Sequence, residues 1–215
     1  MARLWLCLLL LLCPAIAQGR FENEIKALES RPATQGGTVF IGSSTFTLWG
    51  LELEQEFKEF SATNRGFGGS TLPDLLEYAP RVLLPLQPSR VVVYAGTNDL
   101  ASGRTPLQVR EDFQRLVELV RETLPQTQIA FVSLSLPPSR VHLSSEFTLA
   151  NALVREYVGE TPGLHFIDVS RELLDPEGKP KVEFFREDAL HMSKAGYDRW
   201  IPILRAALKQ MNSES

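Results

Sequence analysis

Short, continuously apolar runs alternate along this sequence with longer stretches in which apolar residues recur at helical spacing. A continuously apolar run predicts a strand buried on both faces, as in parallel sheets covered by helices. The runs lie at residues 38–41, 62–64, 90–95, 128–134 and 164–168, and the run at 62–64 is the weakest. We therefore predict one α/β domain with a parallel sheet of about five strands and its functional loops at the carboxyl ends of the strands.

The stretches between these runs carry helix signals. Thr105-Pro106-Leu107-Gln108 combines a capping box with proline at the first helical position, and an apolar stripe follows at 113–124. Further apolar stripes lie at 72–83, 147–157 and 197–208. Pro202 falls inside the last stripe, where we expect a kink because proline removes a backbone donor.

The N-terminus predicts a secretory signal peptide at residues 1–17, followed by a single domain at 18–215. Arg3 precedes an apolar run that is shorter than the about 20 residues a membrane span needs, and residues 15–17 (Ala-Ile-Ala) fit the cleavage pattern. Lipidation at Cys13 is the less favoured alternative, because the preceding leucine is not a small residue. We expect export to a bacterial periplasm or the extracellular space, since the sequence also lacks an N-glycosylation sequon.

Composition argues against several classes of protein. Both cysteines, Cys7 and Cys13, lie in the segment expected to be removed, so the mature domain has neither a disulfide nor a thiol nucleophile. The net charge is −4, and no basic block or aromatic-basic interleaving indicates a nucleic-acid partner. The three histidines are scattered, so neither a metal nor another cofactor is expected.

A first motif, Gly42-Ser43-Ser44, joins the first predicted strand to a helix. A serine in that place has its hydroxyl at the sheet edge, near helix N-terminal amides that favour developing negative charge. The motif is compatible with a nucleophile. A serine N-cap is the commoner explanation of such a motif taken alone.

A second motif, residues 64–71 (Asn-Arg-Gly-Phe-Gly-Gly-Ser-Thr), is rich in glycine and precedes a predicted helix. Glycines let backbone N–H groups approach a ligand closely, as an oxyanion hole requires. A phosphate-binding loop is disfavoured because no lysine follows the glycines. An ordinary tight turn is the other alternative.

The last two motifs supply polar side chains at predicted strand ends or in a turn. In residues 96–99 (Gly-Thr-Asn-Asp), the carboxamide of Asn98 can donate to an oxyanion, with an Asx turn as the alternative. In residues 188–191 (Asp-Ala-Leu-His), the carboxylate can bond imidazole Nδ1 and leave Nε2 free to take a proton from a serine. A lone pair of this kind is usually a surface turn, and His142 and His165 lack even that context.

Together, in this order and spacing, the four motifs resemble the four blocks of the SGNH hydrolases, also called GDSL esterases. The resemblance extends from about residue 39 to about residue 200. It implies a three-layer, flavodoxin-like fold and hydrolysis of an ester or thioester of a small molecule, glycan or lipid, without a cofactor. The glycine-rich motif is most similar to the branch that contains the catalytic subunits of platelet-activating-factor acetylhydrolase.

The resemblance also implies a role for each motif. Ser44 is the nucleophile that forms an acyl-enzyme, His191 is the general base and then the general acid, and Asp188 orients His191. Gly69 and Asn98 donate to the oxyanion alongside the backbone N–H of Ser44.

One residue departs from the family pattern. Ser43 stands where the family usually has aspartate, which puts the support of the turn in question but leaves the triad intact. An ordinary α/β-hydrolase fold is the runner-up, but its Gly-x-Ser-x-Gly elbow would need glycine at Phe46.

No insertion in the sequence is long enough to form a lid, so we expect an open, shallow site that takes short acyl groups on exposed carriers such as acetylated polysaccharides. Arg65, Phe67, Arg140 and His142 are candidates for lining the cleft, with a solvated loop position as the alternative for each. Lysophospholipase or thioesterase specificity is a second possibility for function, and a non-catalytic carbohydrate-binding module on the same fold is a third.

Overall fold

A computed structural model describes residues 19–213 of the chain. The predicted signal peptide, its cleavage site and both cysteines lie outside the described residues. Within residues 19–213, no helix has the length and apolarity required to cross a bilayer.

A five-stranded sheet forms the centre of the molecule, and all of its strands are parallel. The strands are β1 (Thr38–Gly42), β2 (Ala62–Asn64), β3 (Arg90–Tyr94), β4 (Gln128–Val132) and β5 (Leu164–Ile167). Their order, β2-β1-β3-β4-β5, is the flavodoxin-like order, in which the direction of strand addition across the sheet reverses between β1 and β3. Open α/β sheets bind ligands at that point, and the loops after β1 and β3 carry Ser44 and Asn98.

Eight α-helices lie among the described residues. They are α1 (Glu22–Ser30), α2 (Ser44–Trp49), α3 (Leu51–Glu56), α4 (Leu72–Val82), α5 (Thr97–Ala101), α6 (Pro106–Thr123), α7 (Ser144–Gly159) and α8 (Lys194–Ser213). Short 3₁₀ segments occur at Lys58–Phe60, Leu84–Leu86, Pro138–Leu143 and Val182–Phe184. The predicted fold class is confirmed: a parallel sheet of five strands is flanked by helices.

The helices pack in two groups. Helix α6 contacts both α4 and α7, while α8 packs against the segment that links β1 to β2. In that second group, the Tyr197 and Trp49 rings are 4.6 Å apart, and the Arg205 guanidinium donates to the Glu56 carbonyl oxygen at 2.6 Å. The apolar strand residues are buried between these groups, which explains why the strands read as continuous apolar runs.

Local signals explain several helix boundaries. The capping box predicted at Thr105 and Gln108 is present, and a second box joins Thr71 to Asp74 at the start of α4. Pro202 lies within α8, which continues to Ser213. Helix α1 was not predicted from the sequence, because only Ile25 and Leu28 of its nine residues are buried, too few to form a readable apolar stripe.

Candidate active site

The turn after β1 presents Ser44 at the carboxyl edge of the sheet. Ser43 has extended backbone geometry, and its amide donates to the Tyr94 carbonyl oxygen at 3.2 Å, as if continuing the strand. Ser44 is then the first residue of α2, so its own amide has no acceptor within the helix. The Ser43 side chain makes no capping hydrogen bond, so this turn differs from an ordinary serine N-cap.

Glycine is required immediately before this turn. A Cβ at Gly42 would lie 2.2 Å from the Tyr94 carbonyl oxygen and 3.3 Å from the Phe46 ring. The strands β1 and β3 therefore approach too closely for any side chain here, and Gly42 allows the chain to leave the sheet directly into the Ser44 turn.

Ser44, His191 and Asp188 lie in hydrogen-bonding sequence. The His191 Nε2 atom is 3.1 Å from the Ser44 Oγ atom, and the His191 Nδ1 atom is 2.7 Å from the Asp188 Oδ2 atom. Asp188 and His191 belong to one turn, and Ser44 and His191 are 147 residues apart in sequence. The His191 side chain is 27% exposed and that of Asp188 is 48% exposed, so the site is open to solvent.

The Asp188 carboxylate is held in its ionised form. Its Oδ1 atom accepts the amides of His191 and Leu190, each at 2.9 Å, and its Oδ2 atom accepts from the His191 ring. The His191 amide, the His191 ring and the Leu190 amide, in that order, hold the pKa of Asp188 well below its usual range. Because an ionised carboxylate only accepts, the proton lies on Nδ1, and Nε2 is the nitrogen that can accept the Ser44 proton.

Backbone geometry in the turn that contains this pair is uncommon. Ala189 has a φ of 55°, in the left-handed region that alanine rarely adopts. Its amide donates to the Arg186 carbonyl oxygen, and the Arg186 amide donates to the His191 carbonyl oxygen at 2.7 Å. These bonds close the turn on itself and fix the imidazole opposite Ser44.

Two residues of the glycine-rich segment, and Asn98, line the same cleft as Ser44. Gly69 has a φ of 80°, a conformation in which glycine is favoured, and it lines the cleft together with Gly68. Asn98, in the first turn of α5, donates from Nδ2 to the Ser70 carbonyl oxygen at 3.0 Å. An amide nitrogen carries two protons, so one remains for a bound oxyanion.

Asn64 anchors the glycine-rich segment to the Ser44 helix, a role that the sequence did not indicate. Its Nδ2 atom donates to the carbonyl oxygens of Phe46 at 2.7 Å and Gly50 at 3.0 Å, while its Oδ1 atom accepts the Gly66 amide at 2.9 Å. The side chain therefore caps the end of α2 and fixes the distance between the two loops. An asparagine at a strand end is too common a turn residue to indicate such a role from sequence alone.

Three of the four candidate cleft residues do not line the cleft. Arg65 is buried, and its guanidinium donates to the Arg31 carbonyl oxygen at 3.2 Å. Phe67 is buried against the Phe21 ring, with a centroid distance of 5.1 Å. These predictions are wrong because Gly68 and Gly69 face the cleft, whereas the larger side chains that precede them in the same segment pack inward. His142 is exposed outside the cleft, and Arg140 does line it.

The cleft around Ser44 has a volume of about 420 Å³. Its apolar lining consists of Leu48, Pro137, Phe185, Leu190 and Met192, and its polar lining includes Thr45, Thr47, Tyr94, Thr97 and Ser135. Two of the apolar residues adjoin His191 in sequence, so their position could have been inferred from the motif. The others come from separate loops and carry no sequence signal of their own. In the described part of the chain, no cluster of three His, Cys, Asp or Glu side chains is arranged to hold a metal ion.

A serine, histidine and aspartate aligned at the switch point of a flavodoxin-like sheet define the class: a serine hydrolase. Residues 34–199 match the model of the GDSL-like Lipase/Acylhydrolase family, and the chain belongs to that family. It is accordingly a hydrolase that acts on esters.

Solved structures share this fold. A protein provisionally described as a platelet activating factor from Streptococcus pneumoniae is 22% identical, with a TM-score of 0.77 over 89% of this chain and 92% of that chain. A GDSL-like lipase from Bacteroides thetaiotaomicron is 21% identical, with a TM-score of 0.72 over 90% of this chain and 98% of that chain. A mutant of Axe2, an acetyl-xylooligosaccharide esterase from Geobacillus stearothermophilus, is 15% identical, with a TM-score of 0.62 over 83% and 96%. Comparison with curated proteins gave no significant match.

Proposed function

We propose that the protein is a serine esterase that cleaves short-chain acyl esters through an acyl-enzyme on Ser44. The observation that carries this proposal is the aligned triad, with 3.1 Å between Ser44 Oγ and His191 Nε2 and 2.7 Å between His191 Nδ1 and Asp188 Oδ2. The first distance lies within the range required for direct proton transfer, and the second is that of the hydrogen bond by which Asp188 orients His191.

In the first step, Ser44 Oγ attacks the ester carbonyl carbon while its proton passes to His191 Nε2. The developing oxyanion accepts hydrogen bonds from the amides of Ser44 and Gly69 and from Asn98 Nδ2. Collapse of the tetrahedral intermediate breaks the bond to the leaving alcohol, which takes the proton from His191. Water then repeats the sequence on the acyl-enzyme, releases the acid and restores Ser44.

The size and lining of the cleft support short acyl groups. Its volume of about 420 Å³ lies toward the small end of the roughly 300 to 1,000 Å³ typical of ligand sites. Leu48, Phe185 and Met192 offer an apolar surface for a small acyl chain, while the exposed triad leaves room for a bulky leaving group. The activity of the Geobacillus relative on acetylated xylooligosaccharides is consistent with such a carrier.

An acyl-length series tests both the reaction and the specificity. We expect purified protein to hydrolyse p-nitrophenyl acetate and butyrate with a higher kcat/KM than the decanoate or laurate, and the Ser44→Ala variant to be inactive on all four. A preference for the laurate or for a lysophospholipid would overturn the short-acyl assignment, and a preference for acyl thioesters would make it a thioesterase. Ester turnover that survives in Ser44→Ala would overturn the proposal that the acyl-enzyme forms on Ser44. No activity on any ester, together with glycan binding, would favour a carbohydrate-binding module.

Export is proposed on the sequence of residues 1–17 alone. The lack of cysteine in the segment at residues 18–215 is compatible with an extracytoplasmic location. N-terminal sequencing of protein secreted from a bacterial host should begin at Gln18. A mature form beginning at a lipidated Cys13 would instead make it a lipoprotein.

A further inference from the structure

Arg140 is a cation in the wall of the cleft. It lies on the 3₁₀ segment Pro138–Leu143, and its Nη2 atom donates to the Asn98 Oδ1 atom at 3.0 Å. Within residues 19–213 no carboxylate forms an ion pair with it, and Tyr94 is the one titratable neighbour that affects its pKa. A half-buried arginine without an acidic partner is uncommon, because burial of a charge is costly unless a polar group compensates. Here the compensating group is the Asn98 carboxamide.

This contact fixes the orientation of the Asn98 side chain. A guanidinium only donates, so the oxygen of the carboxamide must face Arg140 and the nitrogen must face away from it. The nitrogen then donates to the Ser70 carbonyl oxygen at 3.0 Å. Because hydrogen bonds hold both the oxygen and the nitrogen of the carboxamide, the direction of its second N–H is fixed. The Asn98 side chain therefore does not have to rotate when negative charge develops on the substrate oxygen.

The segment that carries Arg140 is itself tied to the triad. The Ser139 amide donates to the Ala189 carbonyl oxygen at 2.9 Å, within the turn that joins Asp188 to His191. Arg140 therefore lies between the two halves of the site, with its backbone next to the histidine turn and its side chain on Asn98.

We propose that Arg140 is a positioning residue of the oxyanion hole: its guanidinium orients and polarises the Asn98 carboxamide so that Nδ2 donates to the oxyanion. This role rests on the esterase function proposed above. Charge-assisted hydrogen bonds are roughly twice as strong as neutral ones, and the positive charge lies on the oxygen side of the amide, where it draws electron density from the N–H. Burial lowers the pKa of Arg140 from its ordinary 12.5, but a guanidinium stays charged at neutral pH.

A double-mutant cycle between Arg140 and Asn98 tests this role. In Arg140→Gln, we expect kcat for p-nitrophenyl acetate to fall by about 10- to 100-fold while KM changes by less than about threefold, because the interaction matters mainly in the transition state. In Asn98→Ala, we expect kcat for the same ester to fall by about 10²- to 10³-fold. The double variant should resemble Asn98→Ala within about threefold, because Arg140 acts through the residue already removed.

Three comparisons keep the test specific. Arg121→Gln, on α6, also removes an arginine that donates to a carbonyl oxygen, and it should leave kcat unchanged. Arg140→Lys should recover part of the loss, because it keeps the charge without the planar fork. Arg140→Met keeps the length without the charge and should resemble Arg140→Gln. Unchanged melting temperatures would confirm that these variants are folded.

Other outcomes would overturn the role. If the losses of Arg140→Gln and Asn98→Ala multiply in the double variant, Arg140 does not act through Asn98. If Arg140→Gln instead raises KM only for a carboxylate-bearing ester such as p-nitrophenyl hemisuccinate, Arg140 binds the substrate. Wild-type protein that neither turns over esters nor reacts with a fluorophosphonate would overturn the esterase function itself, whereas an active wild type with an equally active Arg140→Gln would overturn the positioning role alone.

Discussion

The hydroxyl of Tyr197, on the last helix, donates a hydrogen bond to the carbonyl oxygen of Thr45, next to the nucleophile, at 2.8 Å. Burial raises the pKa of Tyr197 above its ordinary value, so the hydroxyl is protonated and available to donate. The same ring packs at an angle of 33° against the ring of Trp49 at the other end of α2. Helix α8 therefore contacts both ends of the short helix that begins with Ser44, and links the last helix of the chain to its first catalytic motif.

Removing the Tyr197 hydroxyl should destabilise the turn that carries Ser44 without unfolding it. In Tyr197→Phe the ring contact with Trp49 remains, but the Thr45 carbonyl loses its buried partner, so we expect a loss of about 1 kcal/mol in the free energy of unfolding. We expect kcat to fall by less than about tenfold, since no group that contacts the reacting atoms changes. Urea denaturation and steady-state kinetics would check both. A loss of activity as large as that of His191→Ala would contradict this structural role.

The triad should show a graded response to substitution. Ser44→Ala should abolish both esterase activity and labelling by fluorophosphonate, which should occur once per chain in the wild type. His191→Ala should be nearly as damaging, because an unassisted hydroxyl is a poor nucleophile at neutral pH. Asp188→Ala should be milder, since the carboxylate orients the imidazole and stabilises its charge but transfers no proton. Equal activity of Asp188→Ala and wild type would show that the 2.7 Å contact between Asp188 and His191 is dispensable.

The sequence predicted the sheet and the contact between Asp188 and His191 because both depend on short-range patterns, whereas the pairing of His191 with Ser44, 147 residues away, was expected only from the family resemblance. Continuous apolar runs located all five strands, although the predicted ends at residues 95, 134 and 168 were too late, because buried residues such as Ala95 and Leu134 continue beyond the last strand pairs. Asp188 and His191 lie three residues apart, so their contact could be anticipated from one turn.

Long-range side-chain contacts could not be predicted in the same way. Tyr197 and Thr45 are separated by 152 residues, and Arg140 and Asn98 by 42. Neither pair has a spacing that indicates contact, because each depends on how two helices pack on the finished sheet. Phe67 shows a different kind of error. The sequence predicted that its side chain lines the cleft, but the side chain packs inward against Phe21, and the sequence of the loop alone does not indicate which of its side chains do so.

Ser43 occupies the position where the family usually has aspartate, and its substitution should have little effect on catalysis. Ser43 is buried and caps no amide of α2 with its side chain. The backbone of Ser43, through its bond to the Tyr94 carbonyl, holds the turn instead. Ser43→Ala should therefore retain most of the wild-type kcat/KM on p-nitrophenyl acetate. If Ser43→Ala is inactive while Ser44→Ala still turns over ester, the nucleophile within Gly42-Ser43-Ser44 is wrongly assigned.

The next residue after Asn98 gives the stability of the protein a predictable pH dependence. Asp99 is fully buried, accepts the Leu72 amide at 3.0 Å and lies 3.8 Å from the Arg104 guanidinium. Burial raises the pKa of Asp99 from 3.8 to about 6, against the lowering effects of the Leu72 amide and Arg104. The folded state therefore binds this proton more tightly than the unfolded state does. Ionisation of Asp99 then costs no stability below the unfolded pKa, and the cost grows as pH rises from about 4 to about 6.

Asp99→Asn should remove this dependence, because a carboxamide keeps an acceptor for Leu72 and never ionises. The free energy of unfolding of the variant relative to the wild type should increase by about 2 to 3 kcal/mol between pH 4 and pH 7, at about 1.4 kcal/mol per pKa unit. Asp188 has the opposite shift, a lowered pKa, but it is present in both proteins and cancels in the difference. Urea denaturation at pH 4, 5, 6 and 7 measures that difference directly. A difference that stays constant across this range would mean that the pKa of Asp99 is the same in the folded and unfolded states, and that Arg104 and the Leu72 amide offset its burial.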